Sequence, residues 1–379
     1  MKFRVSVFAL FVSYLLLSLP LFAPETQENA QVVFNSNENI FIDRNAVYVS
    51  ASAAVLMDAD SGRILYAKNE NARLPMASTT KIMTCLLASE CLDPETTVTV
   101  PKETTDIEGA SIYLAEGEKI KVKELLLGLM LRSGNDAANT LAYAVSGSVD
   151  EFVLLMNLKA KSLGLENTSF ANPSGLPAEN HYTSARDLAF LASSALKNEL
   201  FASVVGEKSA VISDGKRYLV NRNKLLFTYD GMIGVKTGYT PEAGKCLVTA
   251  ARRNGVTLVA VTLNDGNEWN DHVTLLNYGF DNYESVVIPR ICCVCGVFDS
   301  EKTVINAVSG DDFRVTLPKN ASYEMIVPQN VMLYSPISKG NIVSYAEIIC
   351  ENETVSVVPL YADENAETKK YNTFERLFK

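Results

Sequence analysis

Strand-patterned segments stand at both ends of the first 280 residues, and helix-patterned segments fill the stretch between them. Ala54-Val55-Leu56-Met57 and Arg63-Ile64-Leu65-Tyr66 flank the turn cluster Asp58-Ala59-Asp60-Ser61-Gly62, which predicts a β-hairpin. Lys245–Ala251 and Val256–Leu263 alternate or run apolar as strands do. Between these, Ile82–Ser89, Val122–Met130, Asp136–Val145, Val153–Leu163 and Ala185–Leu196 carry helical patterns, and Val273–Phe280 closes the region with another. That order predicts an α+β domain whose terminal segments meet in one antiparallel sheet. Beyond about Asp281 come short strands and turns punctuated by Pro318, Pro328, Pro336 and Pro359, read as a smaller all-β domain.

The chain's 379 residues suit two domains and a leader. Lys2 and Arg4 precede an apolar run from Val5 to about Phe22, followed by the polar stretch Glu25–Asn29, a secretory signal pattern rather than a membrane anchor. The expected organisation is a signal peptide over 1–23, a polar linker over 24–45 and a catalytic domain over 46–280. A β-rich domain over 281–365 and a short amphipathic tail over 366–379 complete it. Tyr371, Phe374, Leu377 and Phe378 stand at helical spacing in that tail among basic residues. The eleven residues from Lys369 to Lys379 make a meagre membrane-surface helix, so a solvated terminus is the favoured reading, with weak peripheral membrane contact as the alternative. The expected location of the catalytic part is outside the cytoplasm, at the cell wall or the outer face of the cytoplasmic membrane.

Charge narrows the chemistry. Lys plus Arg number 34 against 44 Asp plus Glu, a net charge of −10 that argues against nucleic acid as a partner. With only two histidines, His181 and His272, multi-histidine metal sites and histidine-based triads have little to build on. His181 reads as a capping or packing residue and His272 as a surface or interface residue. The seven cysteines include Cys292-Cys293-Val294-Cys295, but this cluster lies in a buried-strand pattern where cysteine serves as a small hydrophobe. No second matching pair follows to complete a zinc site, so no metal is expected. Catalysis must then rest on lysine, serine or carboxylates.

Three triplets, in order, carry that chemistry. Ser78-Thr79-Thr80-Lys81 leads into a helix pattern, so hydroxyl and amine share one face, and the helix start adds free N–H groups where an oxyanion would form. A desolvated lysine beside another cation loses its proton readily and can then activate serine without histidine. Two further Ser-x-x-Lys matches, Ser194–Lys197 and Ser213–Lys216, read as an exposed helix end and a turn. Ser133-Gly134-Asn135 lies between two predicted helices, where helix capping alone would explain it. Lys236-Thr237-Gly238 opens a strand, whose edge offers main-chain groups to an extended peptide while glycine admits close approach. It is the ordered combination that is specific.

The set resembles the penicillin-recognising serine enzymes, and within them the low-molecular-mass D-alanyl-D-alanine carboxypeptidases. The likeness extends through Asp60-Ser61-Gly62-x-x-Leu65-Tyr66, Asn172-Pro173-Ser174-Gly175-Leu176, His181-Tyr182-Thr183 and Leu276-Asn277-Tyr278-Gly279-Phe280. In the β-domain it includes Pro336-Ile337-Ser338-Lys339-Gly340 and Val358-Pro359-Leu360.

The resemblance implies a β-lactamase/transpeptidase-like catalytic domain, an antiparallel sheet with a helical subdomain, followed by the small all-β domain. It implies Ser78 as acylated nucleophile, Lys81 as general base and Ser133 as proton relay to the leaving amine. Asn135 would hold Lys81 and the substrate amide, and Lys236 would keep Lys81 deprotonated and attract the terminal carboxylate. Thr237 and Gly238 would line the substrate, with the N–H groups of Ser78 and Tyr239 as oxyanion hole. The implied substrates are peptidoglycan stem peptides, with β-lactams as covalent inhibitors and no cofactor. A β-lactamase, a D,D-endopeptidase and a non-catalytic wall-binding scaffold are the alternatives. Two positions depart from the family pattern: Tyr239, where some relatives carry histidine, and Glu268, where relatives often carry an arginine that grips the terminal carboxylate. Glu268 is expected to repel that carboxylate, with Arg252 and Arg253 as compensating cations.

Overall fold

The computed structural model describes residues 47–370, so the signal peptide, the whole polar linker and the tail from 371 onward lie outside the described residues. Strands β1 (Ala53–Asp58) and β2 (Ile64–Lys68) form the antiparallel hairpin expected of their pattern. The turn closes because the Asp58 carboxylate accepts the Ser61 N–H at 3.1 Å and Gly62 takes φ +74°, a left-handed value that glycine adopts without strain. Far along the chain, β3 (Met232–Thr240), β4 (Gly244–Arg253) and β5 (Val256–Leu263) complete a five-stranded antiparallel sheet in the order β2-β1-β5-β4-β3. The chain ends of the domain therefore meet at the β1–β5 ladder, where Val55 faces Val261.

Every residue of β5 is buried, because both faces of the sheet are covered. Val55, Met57, Val259 and Val261 enter the core shared with the helices, whereas Ala54, Leu56, Leu258 and Ala260 pack with Leu275 and Leu276 on the opposite side. This is the two-residue alternation of a strand read from both faces at once.

The helices of the middle segment are α1 (Lys81–Cys91), α2 (Val122–Leu131), α3 (Asn135–Ser146), α4 (Val149–Ser162), α5 (Ala185–Leu196) and α6 (Glu199–Gly206). Side chains of Ser148, Ser184 and Asn198 accept N–H groups at the starts of α4, α5 and α6, the ordinary N-cap chemistry of these residues. Helix α7 (Glu268–Asn282) covers the other face of the sheet. Its Gly279 lies against Leu258 and Leu56, where an added Cβ would stand 2.4 and 3.0 Å from their methyl groups.

After α7, strands Tyr283–Ile288 and Phe313–Pro318 pair with each other, and six more strands form a second sheet. Cys293 and Cys295 are buried in its core beside Ile305, Ile348 and Leu360, in the small-hydrophobe role expected of the cluster, whereas Cys292 is exposed because strand alternation turns it to the outer face; Cys350 is also buried there, and all seven cysteines are free thiols.

His272 corrects the sequence reading. It is fully buried rather than at a surface, because the helical turn after Glu268 rolls it onto the sheet between Thr249 and Thr262. Its Nδ1 lies 2.7 Å from Thr249 Oγ1 and its Nε2 3.0 Å from Thr262 Oγ1. A neutral imidazole has one donor and one acceptor and can satisfy both contacts. Burial pushes its pKa down to about 3. Since the folded value lies below the unfolded one of about 6.5, its contribution is fully present above pH ~6.5 and lost as pH falls toward the folded value. Replacing His272 with Gln should flatten the fall of Tm between pH 7 and pH 4 relative to wild type, as followed by calorimetry. An unchanged slope would contradict this assignment.

Candidate active site

Ser78 sits in a single 3₁₀ turn, Ala77–Thr80, and Lys81 is the first residue of α1. The turn bends the chain so that Lys81 Nζ stands 3.1 Å from Ser78 Oγ. The same amine donates to Asn135 Oδ1 at 2.7 Å and to the carbonyl of Ser174. Lys81 is fully buried, and all three partners are neutral oxygens. Burial, then the nearby Lys236 amine and the Arg222 guanidinium, hold its pKa well below the usual lysine value, with Asp136 working the other way. This setting favours the neutral amine, whose two N–H groups serve Asn135 and Ser174 and whose lone pair is left facing the Ser78 hydroxyl.

Several elements hold this arrangement. Asn172 Oδ1 accepts N–H groups from Ser174, Gly175 and Leu176 and the Ser174 hydroxyl, which folds the loop so that the Ser174 carbonyl faces Lys81. Gly175, at φ +87°, lies against the Ala77–Thr80 turn so closely that a Cβ would stand 1.9 Å from the Ala77 carbonyl oxygen. His181 Nδ1 accepts the Ala171 N–H at 2.9 Å, which leaves Nε2 to donate to Thr80 Oγ1 at 2.8 Å. Burial first, then Lys81, pushes the His181 pKa down to about 4, so it packs as a neutral ring behind the turn rather than entering the cavity.

Ser133 and Asn135 stand where α2 gives way to α3. Ser133 takes φ +65°, uncommon for a residue with a side chain, and its buried hydroxyl has no hydrogen-bond partner among the described residues. Asn135 Nδ2 donates to the Glu108 carbonyl, which turns its Oδ1 toward Lys81. The adjacent Asp136 accepts N–H groups from Ile112 and Leu114 and the Ser111 hydroxyl, pinning the 110–114 loop to the helix start.

Lys236, Thr237, Gly238 and Tyr239 lie on β3, the edge strand of the sheet. At Gly238 a Cβ would come within 3.1 Å of the Ser78 and Thr79 nitrogens, so glycine lets the strand edge meet the Ala77–Thr80 turn. Lys236 is buried and donates to the Thr237 carbonyl at 2.8 Å; burial and then Arg222 bring its pKa down to about 7.

All eight residues singled out in the sequence come together. Ser78, Ser133, Asn135, Thr237, Gly238 and Tyr239 line a cavity of about 660 Å³, and the two lysines lie beneath its wall. The size suits a short peptide or a drug-sized molecule. Arg222, also in the lining, was not singled out. Its neighbours Asn221 and Asn223 anchor it by donating to the carbonyls of Glu207 and Gly234, contacts that nothing local in the sequence announces.

Glu268 does line the cavity, but it is paired: Lys245 Nζ stands 2.8 Å from its Oε2. Arg252 and Arg253 do not compensate as expected. Arg252 donates to Thr257 Oγ1 and Arg253 to the Asp230 carbonyl beneath the Tyr229 and Phe280 rings, and neither lines the cavity.

The family model described as D-alanyl-D-alanine carboxypeptidase matches residues 41–267, and that of the penicillin-binding protein 5 C-terminal domain matches residues 295–368. The chain is 36% identical over 341 residues to D-alanyl-D-alanine carboxypeptidase DacF of Bacillus subtilis, covering 86% of this chain and 88% of that protein. It is 33% identical over 343 residues to D-alanyl-D-alanine carboxypeptidase DacC of Escherichia coli, covering 84% and 85%. Among solved structures, penicillin binding protein 5 from Haemophilus influenzae superposes with a TM-score of 0.74 at 27% identity, over 85% of this chain and 98% of that one.

The contact at Gly175 can be tested without touching a reactive group. Gly175→Ala should slow covalent labelling of Ser78 by a penicillin, read by intact mass, by roughly a hundredfold, because small displacements of a nucleophile cost about that much. Gly215→Ala, at φ +86° with nothing within 4 Å of the added Cβ, should only lower stability, by about 1 kcal/mol, and leave labelling intact.

Proposed function

The chain belongs to the D-alanyl-D-alanine carboxypeptidase family, and we propose that Ser78 and Lys81 are the nucleophile and base with which it works. The observation that carries this reading is the fully buried Lys81 amine, its pKa well lowered, 3.1 Å from the Ser78 hydroxyl. The substrate is a peptidoglycan peptide, and β-lactams bind at the same site.

Lys81 Nζ takes the Ser78 proton as Oγ forms a bond to the carbonyl carbon of the penultimate D-alanine. The resulting oxyanion is held by the N–H groups of Ser78 and Tyr239, each such donor typically worth about 3 kcal/mol of barrier. The C–N bond then breaks. The proton held by Lys81 passes through the Ser133 hydroxyl to the leaving nitrogen, and D-alanine departs. Water next gives a proton to Lys81 as its oxygen bonds to the acyl carbon. The ester C–O bond breaks, Ser78 Oγ recovers the proton, and the shortened peptide is released. The unpartnered hydroxyl of Ser133 and the neutral contacts of Lys81 support these roles. Among the described residues, no carboxylate between Ser133 and Lys236 lines the cavity, so Lys81 serves both half-reactions.

Export across the cytoplasmic membrane belongs to the same proposal. It is supported by Lys2 and Arg4 ahead of the Val5–Phe22 run and by a substrate found in the wall. No single helix among the described residues is long and apolar enough to cross a membrane. Any peripheral contact would come from the tail carrying Tyr371, Phe374, Leu377 and Phe378.

Incubation with a peptide ending in D-Ala-D-Ala should release D-alanine, and Ser78→Ala should abolish both release and penicillin labelling. Persistent release from that variant would overturn the assignment. Lys236→Gln removes a cation that disfavours protonated Lys81, so the Lys81 pKa should rise. The acid limb of the kcat/KM profile should therefore move to higher pH. An unmoved limb would separate Lys236 from the tuning of the base.

A further inference from the structure

The reaction releases an amino acid with a free carboxylate, and the site must distinguish that group from the interior of a peptide. Among the described residues, four basic side chains stand at or under the cavity: Lys81, Lys236, Arg222 and Lys245. Lys81 is the base and must stay neutral, while Lys236 is buried and its amine donates to the Thr237 carbonyl. Arg222 acts electrostatically on both buried amines, so an anion bound to it would favour protonated Lys81 and oppose the first step.

Lys245 differs. It faces Tyr239 across the β3–β4 ladder, as Leu247 faces Thr237, so these four side chains share one face of the ribbon and all four line the cavity. Its side chain is 48% exposed, whereas that of Glu268, its partner at 2.8 Å, is 10% exposed. Glu268 uses one of the three ammonium donors and leaves the others to the cavity. The charges that chiefly act on Lys81 are those of Lys236, Arg222 and Asp136, so an anion at Lys245 disturbs the base less than one at Arg222. Helix α7 fixes the carboxylate end of the pair, since Asp271 accepts the Ser50 N–H and hydroxyl and His272 is wedged against the sheet.

We propose that Lys245 is the specificity-determining cation of this chain: its ammonium, steadied by Glu268, takes the free carboxylate of the residue that Ser78 releases. The proposal rests on the Ser78 reading above. Glu268 orients the amine without itself meeting the substrate anion, so the acidic side chain at this position is compatible with a carboxylate-ended peptide.

Two substrates that form the same acyl-enzyme separate the possibilities. One is diacetyl-L-Lys-D-Ala-D-Ala, which loses an amino acid; the other is diacetyl-L-Lys-D-Ala methyl ester, which loses methanol and offers no terminal carboxylate. Lys245→Met should lower kcat/KM for the first by about tenfold or more, chiefly through KM, as expected for a charge-assisted contact. Its kcat/KM for the ester should stay within about twofold of wild type. Lys245→Arg should restore most of the loss, and Glu268→Gln should lower KM for the carboxylate substrate by removing the neighbouring anion. Equal losses on both substrates, or none on either, would overturn the proposal, because an ion pair that only supports the fold does not read the leaving group. If wild type turns over neither substrate, the Ser78 reading itself fails.

Discussion

An amine taken out of water with no carboxylate against it is the constraint on which this site depends. Lys81 meets only a hydroxyl, an amide oxygen and a backbone carbonyl, and two further cations lie within electrostatic reach. A charged ammonium there would forfeit hydration without gaining a counter-ion, so the proton leaves instead. The chemistry needs a base of that kind, because a hydroxyl becomes nucleophilic only when something nearby accepts its proton. The Asn172 turn, the closeness of Gly175 and the His181–Thr80 contact all preserve this environment at some distance from the reacting atoms.

The environment is held by parts of the chain far apart in sequence. Ser78 and Lys81 come from the turn leading into α1 and its first residue, the unpartnered hydroxyl and the amide from the α2–α3 junction, and the opposing wall from the edge strand β3. They converge because β1 pairs with β5, joining the two ends of the domain in one sheet and bringing residues near 55 beside residues near 260. Non-glycine residues at positive φ occur at Ala77 and Ser133, on either side of the cavity, and such conformations cost about 1–3 kcal/mol each unless the surroundings enforce them. Burial of the two large hydrophobic clusters supplies that enforcement.

Around the mouth of the cavity, charge is arranged in pairs rather than as a uniform field. Glu268 alone would be at odds with an anionic substrate; bonded to Lys245 it becomes the anchor of a cation. The arginines nearest in sequence, Arg252 and Arg253, are turned to other tasks, one to Thr257 and one to Asp230 and two aromatic rings. Proximity along the chain was a poor guide here, because strand residues alternate between faces and long side chains go to whatever partner the opposite strand offers.

The α+β class, the succession of elements and the residues that converge on the cavity were legible in the sequence, for local reasons. A two-residue alternation or a helical stripe is a property of a short window, and a serine three positions before a lysine can meet it within one turn. The ordered recurrence of small polar triplets added what no single triplet could carry. Only the tertiary structure decided which charges face one another and which polar groups are sealed from water. His272 lay beside Asp271 in a polar-looking stretch yet is enclosed between two threonines, and Arg222 entered the cavity from a segment with no distinguishing pattern. The depression of Lys81 has the same origin: desolvation and Coulomb interaction depend on distance and burial in space, quantities that residue order alone does not contain.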